Sequence, residues 1–208
     1  MNIILMGCPG AGKGTQSAKL KDTLGLKHIS TGDVLRAEMA AGTELGKQVA
    51  ALINQGNLVP DELMISMLEK IVSSTQQGII FDGFPRTVAQ AQALDVMMAK
   101  FGRQIDAVVM IDLPEAEVIK RLAGRRLCKK CSKPAATTTQ PACECGGELY
   151  VRADDAPESV KHRLEVYRKQ TLPVKEYYKN SGKYVEINGN QTPDQVFGDI
   201  KTILEKVK

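Results

Sequence analysis

The chain predicts an α/β fold, a doubly wound, five-stranded parallel sheet flanked by helices. Three observations carry that expectation. Short apolar, β-branched runs recur between longer helical stretches, the alternation that builds βα units. The runs are continuously apolar, as strands buried on both faces are. The first of them breaks into a glycine-rich turn that opens a helix, and such sheets bind ligands outside the carboxyl ends of their strands.

Taken in order, the chain opens with a strand over 2–6, the run Asn2-Ile3-Ile4-Leu5-Met6, and a helix over 13–24 launched by the glycine-rich turn. A short run at 27–30 leads into helices over 32–41, 44–55 and 61–74. The third strand, 78–81, precedes a helix over 88–100. The fourth, 107–111, precedes a helix over 115–126. A long helix over 159–180 leads to the last strand, 184–187. The final helix, 194–206, follows Thr192-Pro193-Asp194-Gln195, a capping box with proline at the first helical position. One stretch breaks the alternation. Residues 128–155 show no helical period, are rich in Thr, Pro and Gly, and hold four of the five cysteines. Long irregular insertions of this kind are functional lids or disordered segments.

A length of 208 residues permits one domain with inserts or two small ones. With 25% charged and 43% hydrophobic residues the chain reads as globular. No apolar segment approaches membrane-spanning length and no leader pattern is visible, so the expected location is cytoplasmic, with no membrane partner. A net charge of +4 does not by itself imply nucleic acid, and the absence of tryptophan weakens any stacking platform for single strands.

The turn Gly7-Cys8-Pro9-Gly10-Ala11-Gly12-Lys13-Gly14-Thr15 is a phosphate cradle. Its glycines let backbone N–H groups converge on phosphate oxygens, and the following helix presents its positive end to the same anion. Lys13 can then reach the outer phosphates of a nucleoside triphosphate. The general pattern places Ser or Thr directly after the lysine, whereas here Gly14 intervenes before Thr15. Alone, the loop does not choose among ATPases, GTPases and kinases. The third strand ends in Phe81-Asp82-Gly83-Phe84-Pro85-Arg86. Asp82 is placed to hold Mg²⁺ through its waters, and Arg86 offers a bidentate fork for a phosphate. An aspartate-capped turn is the alternative. The cysteines fall as Cys128 and Cys131, then Cys143 and Cys145. Closely spaced pairs without a secretion signal point to zinc before disulfides. Four thiolates would form a closed structural site that braces the insert. Reduced, unliganded thiols are the alternative, and Cys143 is the ligand most in question.

The segments GCPGAGKGTQ (7–16), STGDVLR (30–36), GNLVPDE (56–62), FDGFPR (81–86), RLAGRR (121–126), RADD (152–155) and KHRLEVYRKQT (161–171) occur in the order and approximate spacing of the adenylate kinases, which the chain resembles over essentially its whole length. The resemblance implies Mg²⁺-dependent, reversible phosphoryl transfer from ATP to AMP, giving two ADP, in a monomer. It implies a core of 1–29, 60–123 and 156–208, an AMP-binding insert at 30–59 and a lid at 124–155. The family's ATP residues correspond to Gly10, Ala11, Gly12, Lys13, Gly14, Thr15, Arg121, Arg125, Gly189 and Gln191. Its AMP residues correspond to Thr31, Arg36, Asn57, Leu58, Val59, Gly83, Phe84, Pro85, Arg86, Gln90, Arg152 and Arg163. Lys13 with Arg86, Arg121, Arg125, Arg152 and Arg163 would gather around the transferring group. The family's cysteine-bearing lid usually has two residues between the members of each pair, whereas one separates Cys143 from Cys145. The loop between the pairs is also shorter than usual and lacks an aromatic contact to ATP.

The chemistry agrees with that implication. A phosphate monoester acceptor is already ionised, so no strong base is needed, and neither His28 nor His162 matches a motif position. Charge neutralisation and alignment are what remain to be supplied. Asp154 and Asp155 are expected to anchor the lid hinge or pair with arginines. Arg103, Arg126 and Arg168 are expected to be structural or solvated, and Cys8 carries no role. Two rivals stay open from the residues. A UMP/CMP-type kinase shares the fold, although the long cysteine-bearing lid argues against it. A zinc-ribbon P-loop protein binding nucleic acid draws slight support from Lys129, Lys130 and Lys133.

Overall fold

The computed structural model describes residues 1–137 and 139–207. Thr138, within the expected lid, and Lys208, at the end of the expected core, lie outside the described residues. Five parallel strands form the central sheet: β1 (Asn2–Gly7), β2 (Lys27–Ser30), β3 (Ile79–Asp82), β4 (Ala107–Asp112) and β7 (Tyr184–Asn188). Their order is β2-β3-β1-β4-β7, so the chain winds outward from β1 in both directions. β1 is buried along its whole length, and its side chains alternate between two cores. Ile4 and Met6 join one hydrophobic layer, Ile3 and Leu5 the other. That period of two, with apolar residues on both sides, is why the strand reads as an unbroken apolar run.

The first layer is covered by α2 (Thr31–Ala40), α3 (Glu44–Gln55), α4 (Asp61–Ser73), α5 (Val88–Lys100) and α8 (Val174–Lys179). The second is covered by α1 (Lys13–Leu24), α6 (Glu115–Ala123), α7 (Pro157–Val166) and α9 (Pro193–Glu205). The capping box at Thr192 is present in full. β2 and β3 run in register, His28 beside Ile80 and Ser30 beside Asp82, so the carboxyl ends of β1, β2 and β3 converge on one edge.

Two expectations need correction. The helix expected over 159–180 is three pieces: α7, a π-helical turn at Tyr167–Thr171, and α8. The break follows from Pro173, which has no N–H to continue the ladder. The turn before it widens, and Leu172 N donates to Tyr167 O at 2.8 Å. The insert is not wholly irregular either. β5 (Leu127–Cys128) pairs antiparallel with β6 (Leu149–Tyr150), and Leu127 also bridges to Pro134. Arg126 braces the ribbon by donating to Gln140 O at 2.7 Å. No described helix is long and apolar enough to cross a membrane.

Candidate active site

The glycine-rich loop leaves β1 at the centre of the sheet and enters α1 through Gly12, whose φ of 97° no side chain would readily adopt. Lys13 folds back along this loop, donating from Nζ to Gly7 O at 2.8 Å and Cys8 O at 2.9 Å. Burial pushes its pKa down to about 8, opposed by the charge of Asp82. An ammonium so poorly solvated is poised for an anion.

Asp82 ends β3, buried, facing the loop: its Oδ2 stands 3.8 Å from the point a Cβ on Gly14 would occupy. His28 Nε2 lies 3.2 Å from the same oxygen. This neighbour was not anticipated from sequence, because only the register of β2 against β3 brings positions 28 and 82 together. The placement fits a carboxylate that holds a cation's water shell at the phosphate loop.

Beyond Asp82 the backbone turns through Gly83 into Arg86. Arg86 Nε donates to Gly83 O at 2.7 Å, and burial lowers its pKa to about 10, with the nearby Arg163 acting in the same direction. Thr31 Oγ1 donates to Gly83 O at 3.1 Å. The Gln90 amide is held on both sides, accepting from Arg86 N at 2.7 Å and donating to Asp61 at 2.6 Å. Asp61 also escaped the sequence reading; it ties α4 to the start of α5. Asn57 Oδ1 meets His162 Nε2 at 2.7 Å, joining the segment after α3 to α7.

Four more of the expected arginines, Arg36, Arg125, Arg152 and Arg163, are held by carboxylates. Arg125 makes a bidentate pair with Asp155, at 2.8 and 2.6 Å. Arg163 reaches Asp154 at 3.0 Å and Asp155 at 3.1 Å. Arg36 and Arg152 share Asp33. Arg121 donates to Gly189 O at 3.0 Å, while the Gln191 amide bonds Asn188 O and Asp199. Asp154 and Asp155 thus pair with arginines as expected. Arg103 donates to Thr75 O and Asn2, and Arg168 pairs with Glu115.

One cleft of about 1280 Å³ gathers the phosphate loop, Lys13, Asp82 and the arginines expected to bind nucleotide. Every nucleotide residue expected from sequence lines it except Pro85, which borders a smaller cavity behind the loop. A site for one drug-sized ligand occupies roughly 300–1,000 Å³, so the cleft has room for two nucleotides.

In the segment after α6 the sulfurs of Cys128, Cys131, Cys143 and Cys145 all lie within 4.8 Å of one another. Tetrahedral Zn–S bonds of about 2.3 Å put sulfurs roughly 3.8 Å apart, so the set fits one ion. The single residue between Cys143 and Cys145 is accommodated by a closed turn, in which Gly146 N donates to Cys143 O at 2.8 Å and Cys143 N to Gly147 O at 3.0 Å. Gly147 is buried beneath the sulfurs. A Cβ there would stand 2.4 Å from Cys128 Sγ. Lys130 N donates to Cys128 Sγ at 3.3 Å, as a thiolate ligand requires.

The family model described as adenylate kinase matches residues 5–183. An adenylate kinase of a Geobacillus strain is 47% identical over 98% of this chain and 98% of its own. One from Carboxydothermus hydrogenoformans is 44% identical over 99% of this chain and its full length. One from Archaeoglobus fulgidus is 43% identical over the full length of both.

Proposed function

Because the chain belongs to the adenylate kinase family, we infer that its single cleft binds ATP and AMP side by side and performs the transfer there. The enzyme is an ATP:AMP phosphotransferase, reversibly giving two ADP. The observation that carries the site reading is one continuous cleft lined by the glycine-rich loop, Lys13 and the six arginines expected from sequence, Arg36, Arg86, Arg121, Arg125, Arg152 and Arg163, with Arg126 beside them.

ATP lies along residues 10–15, its phosphates taken by backbone N–H groups and Lys13, its base toward Gly189 and Gln191. AMP lies toward Thr31, Asn57, Leu58, Val59 and Gln90, its phosphate held by Arg36, Arg86, Arg152 and Arg163. Arg121 and Arg125 reach from α6 and its end over the donor phosphates. On this reading 1–29, 60–123 and 156–208 are the core, 30–59 the AMP insert and 124–155 the lid. Since AMP's phosphate is already an anion, the protein's task is to bring two like-charged groups into line. Cations aimed at the equatorial oxygens lower the barrier because charge concentrates there in the transition state. Excluding water from the cleft keeps the phosphoryl group from hydrolysis.

The family's Mg²⁺ accompanies ATP, and Asp82 would hold it through water. When bound it neutralises phosphate charge and fixes phosphate geometry. The cysteine cluster would hold zinc as a closed structural site that braces the lid. A cytoplasmic monomer is the form we infer. One chain supplies both nucleotide sites, and five uncrosslinked cysteines suit a reducing compartment. A nucleic-acid role is not favoured, since Lys129 is paired with Glu148 at 2.8 Å.

The test is an acceptor comparison with ATP as donor. AMP should exceed UMP, CMP and GMP in kcat/KM by at least about a hundredfold. A pyrimidine preference would assign the chain's acceptor pocket to the UMP/CMP-type alternative.

A further inference from the structure

Gln90 lines the cleft with only 2% of its surface exposed. It is the third helical residue of α5, and Thr87 caps that helix by accepting from Gln90 N at 3.0 Å. Thr87-Val88-Ala89-Gln90 has the spacing of a capping box, in which the glutamine side chain bonds back to the N–H of the capping residue. Here it bonds one residue earlier, Oε1 accepting from Arg86 N at 2.7 Å. The other end of the amide meets a carboxylate, Nε2 donating to Asp61 Oδ1 at 2.6 Å. Asp61 Oδ2 in turn accepts from Thr87 Oγ1 at 3.2 Å, which closes a ring between α4 and the start of α5.

These partners fix the polarity of the amide. A backbone N–H only donates and a carboxylate only accepts. Turned over, the amide would set its NH₂ against the Arg86 N–H and its oxygen against the Asp61 carboxylate. Among the described residues the amide has no other partner, so one N–H and one lone pair of Oε1 are left for a ligand. The cleft is lined also by the buried Leu35, Val59 and Met64, which can pack on a base without reading its edge. A 6-aminopurine offers a donor at N6 beside an acceptor at N1, and an amide of this polarity complements both. A 6-oxopurine in the same pose carries the reverse pair, an acceptor at O6 beside a donor at N1. It would leave polar groups unpaired on both sides of the contact.

We propose that Asp61 makes the acceptor site choose 6-amino over 6-oxo purines, by holding the Gln90 amide in one polarity. The proposal rests on reading Gln90 as a base-binding residue of the AMP site. Asp61 does not itself line the cleft, so it is a positioning residue that acts through Gln90. Its charge strengthens the bond to the amide N–H and raises the cost of the reversed amide. An asparagine in its place can donate or accept, and only the Arg86 N–H then opposes reversal.

The test is kcat/KM for AMP and for IMP as acceptors, at saturating MgATP, in the wild type, Asp61→Asn, Asp61→Ser and Gln90→Leu. IMP differs from AMP only along this edge of the base. Asp61→Asn keeps the side-chain shape, and Asp61→Ser keeps a small polar group in the first turn of α4. Both should lower the AMP-to-IMP ratio by about tenfold, the effect of one buried polar mismatch, with KM for ATP unchanged. Gln90→Leu should lower the ratio as well. If it does while both Asp61 variants keep the wild-type ratio, the polarity lock is overturned and the base-binding role of Gln90 stands. That holds also where the Asp61 variants lose activity with AMP and IMP by the same factor, which marks a structural effect. If Gln90→Leu keeps the wild-type ratio, the base-binding reading fails and the proposal with it.

Discussion

Lys13 is bonded to the carbonyls of Gly7 and Cys8, in a pocket that drives its pKa down to about 8. A consequence for pH follows. A lysine whose pKa is lowered by burial loses its charge as pH rises through that value, and the neutral amine no longer attracts phosphate. The pH dependence of kcat/KM reports the free enzyme, so kcat/KM for ATP should fall with rising pH through about 8. The kcat profile should stay flatter there, because bound phosphate holds the proton on. Lys13→Ala should remove this inflection and lower kcat by about 10²–10³. An unchanged profile in the variant would assign the inflection to another group. The roles of single residues were unevenly legible. Lys13 and Arg86 sit in contiguous motifs, and their neighbours name them. Asp33, Asp61 and His28 matter through partners 26 to 119 positions away, and no local pattern encodes such a meeting.

At the level of elements, the five strands were legible to within a residue at each end. Burial on both faces leaves a continuous apolar run in β1, β3 and β4, whereas the edge strands β2 and β7 are partly exposed and their runs are mixed with polar residues. The lid ribbon was not legible. Two-residue strands such as β5 and β6 have no periodicity to detect, and their pairing is imposed by the turn that gathers the sulfurs. The split of α7 from α8 was signalled by Pro173, but the helical pattern on either side masked it. The lid also gives a test of the metal reading. Gly147 lies where any Cβ would press on Cys128 Sγ, so Gly147→Ala should abolish stoichiometric zinc, read by elemental analysis. It should also lower the melting temperature toward that of chelator-treated wild type. A variant that keeps one zinc per chain would mean the sulfurs are spaced differently from the arrangement described.

For the whole molecule, the order β2-β3-β1-β4-β7 puts the phosphate loop at the middle of the sheet, where the winding reverses. Around that loop one cleft combines residues from the loop, α2, α6 and α7. The sequence motifs named nearly all of these residues, yet their convergence is a property of topology. Whether that convergence amounts to two adjacent nucleotide sites is answered by one binding experiment. A bisubstrate of two adenosines joined by five phosphates should bind at one equivalent per chain and compete with both ATP and AMP. Two equivalents per chain, or competition with only one nucleotide, would contradict a single cleft that aligns donor and acceptor.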